Sequence, residues 1–138
     1  MQVGEDTLVY HRMLSVILDC EIGRNCTIHA PVWIGNGVRI GDRTRVQAFA
    51  FIPTGVTIGA DCFIGPGVTF TNDKYPPSPN SREWQDTLVL DGASIGANAT
   101  ILPGVVIGER AMIGAGAVVT KDVPAGETWV GNPAERLR

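Results

Sequence analysis

Aliphatic and aromatic residues recur at every sixth position along most of this chain. That period suits neither a long helix nor the strict alternation of a hairpin meander. From Val16 the series runs Ile22, Ile28, Ile34, Ile40, Val46, Ile52, Ile58, Ile64 and Phe70, ten positions without a break. After an interruption it resumes, displaced by one residue, at Val89, Ile95, Ile101, Ile107, Ile113 and Val119. Glycine follows the repeated residue at 23, 35, 41, 59 and 65, and again at 96, 108 and 114. Four residues beyond every repeated position but Phe70 stands something small: Cys20, Cys26, Val32, Val38, Thr44, Ala50, Val56, Cys62 and Val68, then Ala93, Ala99, Val105, Ala111, Ala117 and Val123. The pattern predicts short strands joined by tight turns, with large aliphatics pointing into a narrow prism and small residues filling its corners. Glycine permits the backbone geometry that such frequent turns demand.

The 138 residues form one domain with a single core, so a large active site is expected to be shared between subunits. Eleven basic against 14 acidic side chains give a formal charge of −3. No basic face is available to displace counterions from phosphates, which argues against nucleic acid as a partner. The apolar stretch from Met13 to Leu18 is far below the roughly 20 residues that cross a bilayer. The start Met1-Gln2-Val3-Gly4-Glu5-Asp6 lacks the positive region of a secretory signal, so a cytoplasmic location is expected. Three cysteines cannot all pair, and without an export signal reduced thiols are expected. All three lie in the small-residue series, which predicts buried corner fillers rather than nucleophiles or metal ligands.

The spelling I-G-x-x-x-x resembles the hexapeptide-repeat proteins from about Val16 to Val123. That resemblance implies an all-β fold, a left-handed parallel β-helix with 18 residues per coil, carrying an extended loop at 71–88 and a tail at 124–138. Its handedness departs from the usual right-handed crossover and is taken from the family. Stepping by one coil along the outward residues then places Trp33, Phe51 and Thr69 on one face, and Glu21, Arg39 and Thr57 on another. Stacked outward aromatics suggest a subunit contact, and the family resemblance implies a homotrimer of parallel prisms.

Between Phe70 and Val89, Pro76, Pro77 and Pro79 with several turn formers break the strand pattern. So long an excursion in so regular a chain points to function. Phe70-Thr71-Asn72-Asp73, Tyr75-Pro76, Thr87-Leu88-Val89 and the run Gly92-Ala93-Ser94-Ile95-Gly96-Ala97-Asn98-Ala99-Thr100-Ile101 resemble the N-acetyltransferases that modify amino sugars carried on UDP or dTDP. Many members have arginine after the Tyr-Pro or its equivalent, where this chain has Pro77. The resemblance implies transfer of an acetyl group from acetyl-CoA to the amine of a nucleotide-linked amino sugar, in the supply of precursors for cell-surface polysaccharide such as lipopolysaccharide. Lys74, Tyr75, Arg82 and Trp84 are the candidate acceptor-binding residues of the loop.

The tail run Ile113-Gly114-Ala115-Gly116-Ala117-Val118-Val119-Thr120-Lys121-Asp122-Val123-Pro124, followed by Gly131-Asn132-Pro133-Ala134, is similar to the last coils of hexapeptide acyltransferases generally. Thr120, Lys121, Pro133 and Arg136 are the coenzyme A candidates there. Coenzyme A needs a long slot for its pantetheine arm and a cation near its phosphates. Ala97 and Ala115, one coil apart, are expected to stack on one edge and leave room for the arm, with Lys121 and Arg136 serving the phosphates.

Acyl transfer needs a neutral nucleophile and a stabilised oxyanion. The loop contains no histidine; His11 and His29 both precede it by a wide margin. A sugar hydroxyl needs a base, whereas an amine of pKa about 7.7–8.0 is already partly neutral near pH 7.5. The absence therefore favours an amine acceptor. Asn72 and Asp73 are the candidates for orienting that amine, and a backbone N–H at Gly92 or Ala93 is the candidate oxyanion donor. The plainer alternative makes Asn72 and Asp73 a turn where the chain leaves the prism. A sugar O-acetyltransferase and a non-catalytic assembly subunit remain as other readings. A γ-type carbonic anhydrase needs three histidine zinc ligands and is excluded by two histidines; no metal is expected.

Overall fold

In the computed structural model, which describes residues 1–137, the hexapeptide period becomes a left-handed parallel β-helix of about seven turns. Arg138, the last residue of the expected tail, lies outside the described residues. Three parallel sheets form the faces of the prism. Face 1 comprises Gln2–Val3, Glu21–Ile22, Arg39–Ile40, Val56–Ile58, Thr87–Val89 and Val106–Ile107. Face 2 comprises Leu8–Val9, Thr27–Ile28, Arg45–Val46, Phe63–Ile64, Ser94–Ile95, Met112–Ile113 and Thr128–Val130, closed by the antiparallel Glu135–Arg136. Face 3 comprises Val16–Ile17, Trp33–Ile34, Phe51–Ile52, Thr69–Phe70, Thr100–Ile101 and Val118–Val119.

Coils are joined by backbone hydrogen bonds such as Gly23 N–H to Ile40 C=O and Gly41 N–H to Ile58 C=O, both 2.8 Å. The repeated aliphatics from Ile22 onward and the whole small-residue series are buried. The cysteines are free and buried. Cys26 Sγ donates to Gly41 C=O at 3.1 Å, Thr44 Oγ1 to Gly59 C=O at 2.8 Å and Cys62 Sγ to Leu90 C=O at 3.2 Å. One corner column thus satisfies its own carbonyls with small donors. Burial pushes the Cys20 and Cys62 thiols above their ordinary pKa, which suits inert packing rather than nucleophilic chemistry.

The structure corrects the start of the repeat. The β-helix begins at Gln2, which pairs with Glu21, well before Val16. Val16 points outward at 42 % exposure, and Ile17, at 5 %, takes the inward place opposite Ile34. The 3-10 turn Arg12–Leu14 is the cause: it lengthens one corner of the first coil, and the next corner is one residue short. The expected outward columns are present. Trp33 and Phe51 stack with ring centroids 5.9 Å apart, and Glu21, Arg39 and Thr57 stand in register.

The loop is extruded and does not replace a coil. In the coils just before and after the loop the register along each face steps by 18 residues, as between Arg45 and Phe63 or Ser94 and Met112, but Thr57 pairs with Leu88 and Phe63 with Ser94, a step of 31. Thirteen residues are therefore inserted at the corner between faces 3 and 1, and strand resumes at Thr87, two residues before the aliphatic position at Val89.

Glycine is required where adjacent coils touch at a corner. A Cβ on Gly41 would stand 2.5 Å from both Ala60 N and Gly59 C, backbone atoms that cannot move without breaking the ladder. Gly41→Ala is expected to destabilise the protein by roughly 1–3 kcal/mol, measured as a lowered urea midpoint.

Candidate functional site

The loop is anchored firmly at its neck. Thr71 Oγ1 donates to Ile101 C=O at 2.9 Å, Asn72 Nδ2 to Thr54 C=O at 2.9 Å and Gln85 N–H to Asn72 C=O at 2.8 Å. Thr87 N–H then donates to Gly55 C=O at 2.9 Å, while the Thr87 hydroxyl accepts from Gly104 N–H at 3.3 Å. Strand-like bonding thus runs up to both ends of the excursion, and only its middle leaves the prism.

Asp73 organises that middle. One carboxylate oxygen accepts from Ser78 N–H at 2.8 Å and the other from the Ser78 hydroxyl. These bonds, the hydroxyl first and the N–H second, hold the Asp73 carboxyl below its ordinary pKa. Because the folded value is depressed, the contribution of this clamp is complete above the ordinary carboxylate pKa and fades as pH falls through the lowered one. Ser78→Ala is expected to move the Asp73 titration back up toward the ordinary carboxylate value, read by carboxyl-carbon NMR. An unmoved titration would dismiss the clamp.

A cleft of about 420 Å³ opens within the loop, lined by Asp73, Lys74, Tyr75, Pro77, Ser78, Pro79, Glu83 and Gln85. Of the expected acceptor residues, Lys74 and Tyr75 line it, with the Lys74 ammonium 5.8 Å from the Tyr75 ring centroid. Arg82 and Trp84 do not. Arg82 N–H is held by Asn80 Oδ1 at 2.9 Å at the start of the 3-10 turn Ser81–Glu83, and Trp84 closes that turn with its ring half in solvent.

The expected coenzyme residues fall on different edges. Ala97 and Ala115 follow one another along the corner between faces 2 and 3, where Gly116 N–H donates to Ala97 C=O at 2.8 Å. A Cβ on Gly116 would meet nothing within 4 Å, so space is open beside Gly116. The chain returns to it at Gly131, whose carbonyl accepts from Val118 N–H at 2.9 Å, two residues before the exposed Pro133. Lys121 and Arg136 meet at the end of the prism in a cleft shared with Trp129, Glu135 and Leu137. Lys121 Nζ lies 5.5 Å from the Trp129 ring centroid and Arg136 Nε 3.8 Å from Glu127 Oε1. Thr120 is exposed beside Lys121.

Gly92 and Ala93 are on the third edge, and the structure corrects their assignment. Gly92 N–H already donates to Ala60 C=O at 2.9 Å and Ala93 N–H to Leu90 C=O at 3.3 Å, while Ala93 is fully buried. Gly92 N–H is spent on the neighbouring coil and Ala93 N–H within its own turn, so an oxyanion contact there would require breaking one of these bonds. His29 stacks on Tyr10, centroids 5.3 Å apart, in the early coils away from the loop. Ser78, the partner of Asp73, is only faintly marked in the sequence. Its only signal was a hydroxyl between two prolines, Pro77 and Pro79. Among the described residues no group of three or more His, Cys, Asp or Glu is arranged to hold a metal ion, and no helix is long and apolar enough to cross a membrane.

A left-handed prism of six-residue steps interrupted by one anchored loop defines a hexapeptide-repeat solenoid. The family model described as bacterial transferase hexapeptide (six repeats) matches residues 37–72 and 86–121, and one for the hexapeptide repeat of succinyl-transferase matches 19–52. The chain belongs to the bacterial transferase hexapeptide-repeat family. The two matched blocks of the first model leave out the middle of the loop, residues 73–85.

The bifunctional protein GlmU of Heliobacterium modesticaldum is 30% identical over 141 residues, covering 91% of this chain and 29% of that protein. A galactoside O-acetyltransferase of Lactococcus lactis is 33% identical over 125 residues, covering 82% and 59%. Among solved structures, a histidine variant of perosamine N-acetyltransferase from Caulobacter crescentus, in complex with CoA and GDP-perosamine, superposes with a TM-score of 0.82. It is 25% identical and covers 99% of this chain and 57% of that one. The chain thus spans from under a third to about three fifths of these relatives' lengths.

Proposed function

We propose that the protein transfers an acetyl group from acetyl-CoA to the amine of a nucleotide-linked amino sugar. The observation that carries this reading is the loop: its cleft presents Asp73 as an ionised carboxylate and contains no histidine. A carboxylate of lowered pKa is a weak base, poorly matched to a sugar hydroxyl. It is well matched to an amine, which it orients by accepting a hydrogen bond; the neutral amine attacks the thioester carbonyl, the C–S bond breaks, and the departing coenzyme A thiolate takes up the proton the nitrogen sheds. The complex of the similar perosamine N-acetyltransferase with CoA and GDP-perosamine supports the same pairing of donor and acceptor.

The edges of the prism support a site between subunits. The edge at Ala97 and Ala115, open beside Gly116, lies between faces 2 and 3, and the loop leaves between faces 3 and 1. A pantetheine arm on the first edge is brought to a loop most directly by the loop of a neighbouring copy. We therefore assign acetyl-CoA to the edge at Ala97, Ala115 and Pro133, its phosphates to Lys121 and Arg136, and the acceptor to the loop, within a homotrimer. Asn72 keeps its side-chain oxygen for the acceptor while its Nδ2 is held by Thr54.

The test incubates the protein with acetyl-CoA and a panel of nucleotide-linked amino sugars alongside their hydroxyl counterparts, following thiol release and locating the acetyl group by mass. Release that depends on the amine supports the reading. Acetylation of amine-free sugars would reassign the protein as an O-acetyltransferase, in line with the galactoside O-acetyltransferase similarity. Failure to bind coenzyme A would make it an assembly subunit.

A further inference from the structure

The phosphates of a nucleotide-linked acceptor need a cation, and the loop offers poor cover for them. Its cleft is faced by two carboxylates, Asp73 and Glu83, against the single ammonium of Lys74, which already lies over Tyr75. A diphosphate placed there would meet net negative charge. At the foot of the loop a second cleft, of about 410 Å³, crosses face 1 and is lined by Gly37, Arg39, Gly55, Thr57, Asp86 and Leu88.

We propose that Arg39 in this cleft binds the diphosphate of the acceptor, with the amino sugar running past Gly55 to the loop neck at Asn72 and Asp73. The assignment rests on the acceptor reading above. Arg39 is in register with Thr57 and Thr57 with Leu88, so the guanidinium starts two strand spacings, about 10 Å, from the strand that ends the loop. A hexose ring and an extended arginine side chain together cover that distance. The guanidinium is largely uncommitted: its carboxylate neighbour, Glu21, is exposed and 3.7 Å away, a contact of little worth in water. Five N–H donors in a planar fork suit phosphate oxygens.

The surroundings match the ligand. Gly37, at φ +77°, presents bare backbone, and a Cβ there would meet nothing within 4 Å, so space stands open beside the cation. At the other end of the cleft the Asp86 carboxylate lies over Gly55, where a Cβ would stand 3.2 Å from its Oδ1. The exposed Glu21 partly offsets Arg39, and what distinguishes this cleft is the order of its charges: the guanidinium at one end and the Asp86 carboxylate toward the loop, as a molecule with a diphosphate at one end and an amine at the other requires.

Coenzyme A also carries a diphosphate, and titration calorimetry separates the two sources. UDP, dTDP and coenzyme A are titrated separately into the wild-type protein, Arg39→Ala and Arg39→Lys. Arg39→Ala is expected to weaken the nucleoside diphosphate about tenfold or more, as for loss of a charge-assisted contact, with Arg39→Lys between the two and coenzyme A affinity unchanged. In turnover, KM for the acceptor rises while kcat is largely kept. Equal nucleoside diphosphate affinity in wild type and Arg39→Ala overturns this assignment alone. A parallel loss of coenzyme A affinity overturns it in favour of the donor. A wild-type protein that acetylates amino sugars but binds neither nucleoside diphosphate overturns it together with the nucleotide-linked acceptor, leaving the amine chemistry standing.

Discussion

Asp73→Ala is expected to lower turnover by about 100-fold or more, within the range for loss of a positioned acid–base or electrostatic group, while acetyl-CoA binding stays near the wild-type value. Asn72→Ala is expected to fall in the same direction. The physical difficulty is that both residues also shape the loop: Asn72 is tied to Thr54 and Asp73 to Ser78. A fall in rate could then report a displaced loop. Two further variants separate the causes. Ser78→Ala removes the clamp and leaves the charge, whereas Asp73→Asn removes the charge and leaves an oxygen able to accept from Ser78. If the carboxylate acts on the amine, Asp73→Asn loses most of the turnover and Ser78→Ala little. If the loop's shape is what matters, Ser78→Ala falls as far as Asp73→Ala. Turnover unchanged in both alanine variants, Asn72 and Asp73, rejects the assignment outright. Steady-state rates at saturating acetyl-CoA, with coenzyme affinity measured separately, decide among these.

The prism was legible because its signal is redundant. Each inward aliphatic from Ile22 to Val119 is supported by a small filler four residues later, and often by a glycine, so the period survives single deviations. The first coil was not legible because no such redundancy protects it. Val16 and Ile17 are equally apolar, and only the extra length of the 3-10 turn Arg12–Leu14 decides that Ile17 faces inward. The length of the loop insertion was present in the sequence in disguise. Thirteen extruded residues are two hexapeptides plus one, which is why the period after the loop is displaced by a single residue. A spacing that is ambiguous modulo six becomes fixed only when Thr57 is seen opposite Leu88. That same pairing brings Arg39 and Asp86 to one cleft, a juxtaposition no local motif encodes. The loop and the edge were legible as places in the fold, since Asn72 and Asp73 stand at the neck and Ala97 and Ala115 on one corner, as their local pattern implies. How the backbone donors at Gly92 and Ala93 are spent depends on hydrogen bonds to the neighbouring coil and within the turn, which a linear motif does not display.

Phe70→Ala is expected to cost about 3–5 kcal/mol of stability, the usual loss for a buried phenylalanine cut back to alanine. Phe70 has no exposure to solvent and stands among the largest fully buried side chains of the core. It fills the inward place of face 3 opposite Ile101, where the surrounding small residues cannot close the void without shifting a whole coil. Its position also couples stability to the site. The next residue, Thr71, carries the hydroxyl that pins the start of the loop to Ile101 C=O, and Asn72 follows. In a solenoid each coil contacts only its neighbours, so the loss should be felt locally as well as globally. Amide exchange is expected to quicken most at Thr71, Gln85 and Thr87, whose N–H bonds fasten the neck. Phe70→Leu, which keeps most of the volume, is expected to cost less than about 1.5 kcal/mol and to retain the neck protection. A urea midpoint for Phe70→Ala close to wild type would mean that Phe70 does not occupy the core, and the register that places Asn72 and Asp73 at the neck would fall with it.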